Sequence, residues 1–152
     1  MPRVGIVLGS RNDEPLVEST VETLKSLGID YELSVLSAHR NPEGVRAYAS
    51  TAAQKGIEVI IAAAGGAAHL PGVIAGWTDL PVIGIPLPTS DLKGVDSLYS
   101  IVQMPPGVPV ACVSVGKWGA TNAALLAAQI LGLKYDAVKK AFREYKEGLK
   151  GK

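Results

Sequence analysis

The sequence predicts a doubly wound α/β domain, a three-layer arrangement in which a sheet of mainly parallel strands lies between two layers of helices. Three observations predict it. Short β-branched runs alternate with stretches of helical period along most of the chain, which is the pattern of right-handed crossovers between parallel neighbours. The strand-like run Gly56-Ile57-Glu58-Val59-Ile60-Ile61 leads into a stretch of alanine and glycine, as expected where a strand buried on both faces comes to its end. Finally, 152 residues with 47% hydrophobic side chains suit one compact core, and no repeat, low-complexity segment or linker divides residues 1–152.

Taken in order, Arg3 to Leu8 reads as the first strand. Glu14 to Leu27 reads as a helix, because Val17, Val21, Leu24 and Leu27 recur at spacings of four, three and three before Gly28 ends it. Tyr31 to Leu36 is the second strand. Asn41-Pro42 is the pairing of N-cap and first helical position, and opens a helix to about Lys55 with the stripe Val45, Tyr48, Ala49, Ala52 and Ala53; Gly56 stops it. The third strand is Ile57 to Ala63, followed by a short helix from Leu70 to Trp77 and a fourth strand from Pro81 to Ile85. A longer excursion comes next, with Pro86-Leu87-Pro88-Thr89-Ser90 as a loop and Val95 to Met104 as a helix closed by Pro105-Pro106-Gly107. Val110 to Val115 is the fifth strand, leading into an alanine-rich helix from about Gly119 to Leu131. From Tyr135 the apolar residues Val138, Phe142, Tyr145 and Leu149 form one narrow stripe on a charged helix, which lies either on its own sheet or against a neighbouring subunit.

Charge and composition exclude several function classes. Fifteen basic and fourteen acidic residues leave a net charge of +1, so no broad field draws the chain to nucleic acid or an anionic membrane, and any anion must be held locally. The start lacks a signal-peptide pattern and no apolar stretch reaches membrane-spanning length, so a soluble cytoplasmic protein is expected. Cys112, the single cysteine, lies in the apolar run Val110-Ala111-Cys112-Val113 and is expected to be a buried, inert thiol. The first loop lacks the glycine fingerprint of dinucleotide sites and the Lys-Ser or Lys-Thr of triphosphate loops. The histidine and cysteine spacing gives no metal cluster, and the Gly-x-Ser-x-Gly elbow of acyl transfer is absent.

In open parallel sheets ligands bind outside the carboxyl ends of the strands, so the residues after each strand are the candidates. After the first strand stand Gly9-Ser10-Arg11-Asn12-Asp13, after the second Ser37-Ala38-His39-Arg40-Asn41-Pro42, and after the third Ala64-Gly65-Gly66-Ala67-Ala68-His69. Small residues leave backbone bare for a flat ligand, and histidine exchanges protons near neutral pH. Ser10, Ser37 and Arg40 suit a phosphate, the arginine through its planar charged fork. Asp13 is read two ways, as an acceptor for sugar hydroxyls or as an ordinary helix N-cap.

Several long motifs follow one another in the chain: Ser37-Ala38-His39-Arg40, Gly65-Gly66-Ala67-Ala68-His69-Leu70-Pro71-Gly72, the run from Gly94 to Pro105, and Asn122 to Leu131. In these the sequence closely resembles the PurE family of purine biosynthesis, over nearly the whole chain to about Leu131. The resemblance implies a flavodoxin-like fold and a carboxyl shift on an imidazole ribonucleotide, from the exocyclic nitrogen of N5-carboxyaminoimidazole ribonucleotide to ring carbon 4. A related type carboxylates aminoimidazole ribonucleotide directly, but the Gly-Gly-Ala-Ala-His-Leu-Pro-Gly stretch looks like the mutase type. The resemblance further implies no metal or organic cofactor and a homo-octamer whose C-terminal segments reach neighbouring subunits. Carried over by motif, Ser10, Ser37 and Arg40 hold phosphate and Asp13 the ribose. Ala64, Gly65, Gly66 and Ala67, with Leu70, lie beside the imidazole and carboxylate. His39 is the principal acid/base and His69 supports it.

The chain also departs from that family's pattern. Where the first loop usually reads Gly-Ser-x-Ser-Asp-Trp, this chain has Asn12 and Glu14 in place of the second serine and the tryptophan. Asn12 can still donate an amide hydrogen to phosphate, whereas Glu14 brings negative charge toward the anion. Asn41 stands where threonine is frequent, an exchange between two N-cap residues. Outside the enzymes, the same fold carries phosphorylatable receivers and flavin-binding modules. A receiver needs an aspartate after the third strand, and this chain has Ala64-Gly65-Gly66 there.

Overall fold

The computed structural model describes residues 3–152 and has five parallel strands in the order β2-β1-β3-β4-β5: β1 (Arg3–Leu8), β2 (Asp30–Val35), β3 (Val59–Gly65), β4 (Val82–Leu87) and β5 (Ala111–Cys112). This is the flavodoxin-like order, which reverses direction between β1 and β3. Alternation along β1 sorts the core into two. Val4, Ile6 and Leu8 join the layer formed with α1 (Glu18–Ser26), α5 (Lys117–Gly132) and α6 (Asp136–Leu149). Val7 joins the opposite layer, formed with α2 (Pro42–Thr51), α3 (Leu70–Trp77) and α4 (Val95–Val102). Ala62, Ala63 and Ala64 at the sheet centre, with the buried Ala120, Ala123, Ala124, Ala127 and Ala128 of α5, keep side chains short where helices lie against β3.

Local chemistry sets most of the boundaries. α1 ends in a Schellman turn, with Gly28 at φ +70° and the amides of Gly28 and Ile29 donating to the carbonyls of Lys25 and Leu24. Asn41 caps α2 by accepting from the Gly44 amide at 3.0 Å. The third strand begins two residues later than the β-branched run suggests. The Ile57 amide donates instead to Ala52 in the helix-ending turn, where Gly56 lies at φ +87°. Ala53, expected on the buried stripe, falls in a 3-10 turn (Ala53–Lys55) and is exposed.

Three other expectations are corrected. The helix expected from Glu14 begins instead as a 3-10 segment, Arg11–Val17, which includes Pro15 and passes into α1 at Glu18. β4 runs on through Pro86 to Leu87. The Pro86 carbonyl accepts from the Gly116 amide on the β5 side, so the missing Pro86 N–H also faces that side, where β5 has already ended. β5 itself is two residues long, and Cys112 on this edge is half-buried, with partial burial pushing its thiol pKa up.

The stripe on α6 packs on α5 of the same chain. Val138 is buried, Phe142 and Tyr145 are partly buried against that core, and Leu149 is exposed. Glu58 pins the start of this helix, accepting from Tyr135 Oη at 2.6 Å and from Lys134 Nζ at 3.0 Å. These bonds hold its carboxyl below the usual range against the opposing effect of desolvation. Among the described residues no helix is long and apolar enough to cross a membrane.

Candidate active site

The carboxyl ends of β1 to β4 surround a cavity of about 390 Å³ at the point where the strand order reverses. Gly9, Ser10, Asn12 and Asp13 line it after β1, and Ser37, Ala38, His39 and Arg40 after β2. Ala64, Gly65, Ala67 and His69 come from the end of β3 and the turn beyond it, Leu70 opens α3, and Thr89 follows β4. Every site residue expected from the sequence therefore meets here except Gly66, which turns the chain at φ +61° without lining the wall. Glu14 is exposed and lies outside the cavity, in a surface depression with Arg11 and Glu18, so its charge is not part of the wall.

The two serines are oriented by what they accept. Ser10 Oγ accepts from the Asn12 amide at 3.2 Å as N-cap of the 3-10 segment, and Ser37 Oγ accepts from the Arg40 amide at 3.1 Å and Arg40 Nε at 3.3 Å. Each hydroxyl keeps its own proton to donate. Arg40 is exposed, and no carboxylate among the described residues forms an ion pair with it, so its terminal N–H groups are left for an anion. Since Ser10 is the N-cap, the capping reading of Asp13 falls away. Asp13 sits one turn inside, only 6% exposed, with desolvation raising its pKa against the opposing Ser10 backbone hydrogen bond.

The histidines come from different strands and meet. His39 Nε2 lies 2.8 Å from His69 Nδ1, with the rings edge-on at 89°. One proton can occupy that bond, which leaves Nδ1 of His39 and Nε2 of His69 as the outer ends of a two-ring chain. His69 stands at the N-cap position of α3, yet its side chain makes no capping bond and is free for this pairing. On the floor, a Cβ at residue 65 would fall on Thr89 Oγ1, so a larger residue there requires Thr89 to move. Gly9 and Ala38, quoted in the strand-end loops without a role of their own, also line the cavity, as does Thr89, which the sequence placed only in a loop. Thr89 follows a strand end like the others, and the signal was hidden because Pro86 made β4 look two residues shorter.

A phosphate-suited end, a proton-exchanging pair and a flat small-residue floor on this sheet are what comparison with known proteins can be set against. The family model described as AIR carboxylase matches residues 3–152. The chain belongs to the AIR carboxylase family. Within that family it is 56% identical over 150 residues to the N5-carboxyaminoimidazole ribonucleotide mutase of Thermotoga maritima, covering 99% of this chain and 86% of the relative. It is 55% identical to the protein of the same name from Saccharolobus solfataricus, covering 99% and 94%. Among solved structures, Treponema denticola PurE superposes with a TM-score of 0.87 at 29% identity, over 99% of this chain and 93% of that one. The AIR carboxylase match thus takes in all four loops of the cavity, including the first loop with Asn12 and Glu14.

Proposed function

We propose that this chain is an N5-carboxyaminoimidazole ribonucleotide mutase of purine biosynthesis, moving a carboxyl group from the exocyclic nitrogen to carbon 4 of the imidazole. The observation that carries the reading is the His39–His69 pair at 2.8 Å, set in a cavity that Arg40, Ser37 and Ser10 also line. Arg40 and the two hydroxyls hold the phosphate, with Asn12 as a further amide donor, and Asp13 accepts from the ribose hydroxyls. The ring then lies on Ala64, Gly65 and Ala67, with Leu70 beside it.

The reaction needs two proton movements and no net redox change. Cleavage of the nitrogen–carboxyl bond leaves its electron pair on nitrogen, which takes a proton, and releases carbon dioxide beside an electron-rich ring. Carbon 4 attacks that carbon dioxide, and the carbon 4 proton must leave to restore aromaticity. His39 is the principal group for both transfers, and His69 supports it. A proton gained at one end of the pair can be released from the other without leaving the site. Holding carbon dioxide against carbon 4 gives the recombination its advantage over escape.

The same reading includes a homo-octamer in the cytoplasm, with C-terminal segments reaching neighbouring subunits, a single domain over residues 1–152, and no metal or organic cofactor. Light scattering tests the assembly, with eight times the 15.8 kDa chain mass expected. The activity is tested by an ultraviolet assay without ATP. Freshly made N5-carboxyaminoimidazole ribonucleotide is compared with aminoimidazole ribonucleotide plus bicarbonate, each followed to the carbon 4 carboxylate. Fast turnover of the first alone is expected. Efficient conversion of the second, or of neither, overturns the mutase reading.

A further inference from the structure

The mechanism leaves one polar side chain on the cavity wall without a task. Thr89 is exposed, lines the cavity, and packs its hydroxyl on Gly65, yet that hydroxyl makes no hydrogen bond to another described residue. The segment that carries it is tied down at both ends. Ser90 Oγ donates to Asp96 Oδ2 at 2.5 Å and accepts from the Leu92 amide at 3.1 Å. The buried Ser97 hydroxyl reaches the Leu87 and Gly94 carbonyls at 2.9 and 3.1 Å. Between these ties Lys93 lies at φ +55°, a left-handed conformation that a non-glycine residue keeps only where its surroundings fix it. The first turn of α4 therefore sets where Thr89 points.

Position across the sheet says what it meets. From β2 to β4 the cavity spans three strand spacings of about 4.8 Å, or roughly 14 Å. Arg40, Ser37 and Ser10 occupy the β2 and β1 end, so a ribonucleotide held there by its phosphate carries its heterocycle toward β3 and β4, where Gly65 and Thr89 stand. A hydroxyl suits a group that must change from carboxylate to neutral carbon dioxide and back. A cation in its place would stabilise the starting carboxylate and oppose its departure.

We propose that Thr89 is a further substrate-contacting residue whose hydroxyl donates to the migrating carboxylate, with the Ser90–Asp96 pair as the clip that positions it. This rests on the functional reading above. Calorimetric titration with two ligands tests it, the carbon 4 carboxylated product and the uncarboxylated aminoimidazole ribonucleotide, on wild type, Thr89→Val, Thr89→Ser and Ser90→Ala. Thr89→Val is expected to weaken the carboxylated ligand about 10-fold or more and the uncarboxylated one by less than about 2-fold. Thr89→Ser stays within about 3-fold of wild type for both, and Ser90→Ala weakens the carboxylated ligand about 3-fold or more. In the mutase assay kcat/KM falls in the same order. An unchanged Thr89→Val protein, an equal loss for both ligands, or an equal loss in the valine and serine variants overturns the contact. A Ser90→Ala protein that binds as wild type does overturns the clip. Wild type that binds neither ligand overturns the functional reading and this inference with it, whereas a fully active Thr89→Val enzyme overturns the inference alone.

Discussion

Replacing Gly65 by alanine tests how tightly the cavity floor is built. Gly65 closes β3 in extended backbone that alanine adopts without strain, so the cost is steric. The added Cβ would fall on Thr89 Oγ1, stand 3.2 Å from the Leu87 carbonyl oxygen, and stand 3.0 Å from Thr89 Cβ, where carbon atoms are normally 3.5–4.0 Å apart. The backbone has little room to yield, because Gly65 is paired in register with Leu87. The exposed Thr89 side chain must turn or its loop must shift, at about 1–3 kcal/mol for an overpacked site. At about 2–4 °C per kcal/mol for a domain of this size, the midpoint of thermal unfolding falls by about 2–12 °C. A displacement of about 1 Å beside the reacting ring lowers kcat/KM about 100-fold. Calorimetry and the mutase assay read the two effects, and the Gly65→Ala, Thr89→Ala double variant separates them. Removing the Thr89 hydroxyl, the severest of the three contacts, recovers part of the lost melting temperature, while activity stays low. A single variant that melts within about 1 °C of wild type and keeps half its activity would refute the close packing.

Three further outcomes are expected. His39→Asn lowers kcat by about 10²–10⁴, and adding His69→Asn costs little more because the two rings act as one unit; a fully multiplicative loss in the double variant would separate them. Asp13→Asn abolishes most ribose-dependent binding yet raises the melting temperature. The folded pKa is raised above the unfolded value, so the native state binds the extra proton, and stability falls as pH rises from the unfolded pKa through the folded one. Above the folded pKa that cost is fully present and the amide removes it, so denaturant melts on the alkaline side of that transition that place the variant below wild type would contradict the assignment. Thr20→Val removes the buried bond from Thr20 Oγ1 to the Ala120 carbonyl at 2.6 Å, which joins α1 to α5; stability falls by about 1–2 kcal/mol in urea titrations, with kcat/KM unchanged.

The sequence made some parts of this molecule legible because local chemistry decides them. β1 and α3 match their expected limits residue for residue, one bounded by a β-branched run and the other by Leu70-Pro71 and Thr78. Helix ends marked by Gly28 and Gly56 were equally plain, since each adopts the left-handed conformation that ends a helix. The parts that were not legible depend on neighbours distant in sequence. Nothing local distinguishes Val110 to Val115 as an edge that pairs for two residues, and Pro86 reads as a strand breaker unless the bare side of β4 is known. For the site, the rule that ligands gather at strand ends selected loops that line one cavity, and the meeting of His39 with His69 needed only that β2 and β3 flank β1. Thr89 escaped notice because it depends on where β4 ends.

The layout of the cavity also bears on why an isomerase of this kind needs no strong contact at its reacting end. Substrate and product of the proposed reaction share a ribose phosphate and differ only in where a carboxylate sits. In the proposed mode, binding through Arg40, Ser37, Ser10 and Asp13 is therefore the same before and after the shift, and cannot favour one isomer over the other. It anchors the ring while the carboxyl group is detached, which is what proximity requires. The reacting end can then be made of backbone, alanine methyls, imidazole nitrogens and one hydroxyl, groups that stabilise a carboxylate weakly and tolerate neutral carbon dioxide. The proposed division of labour, strong anion binding at β2 and β1 with weak, reversible contacts at β3 and β4, is one that an inserted lysine near Gly65 would reverse, tightening substrate binding while slowing the shift.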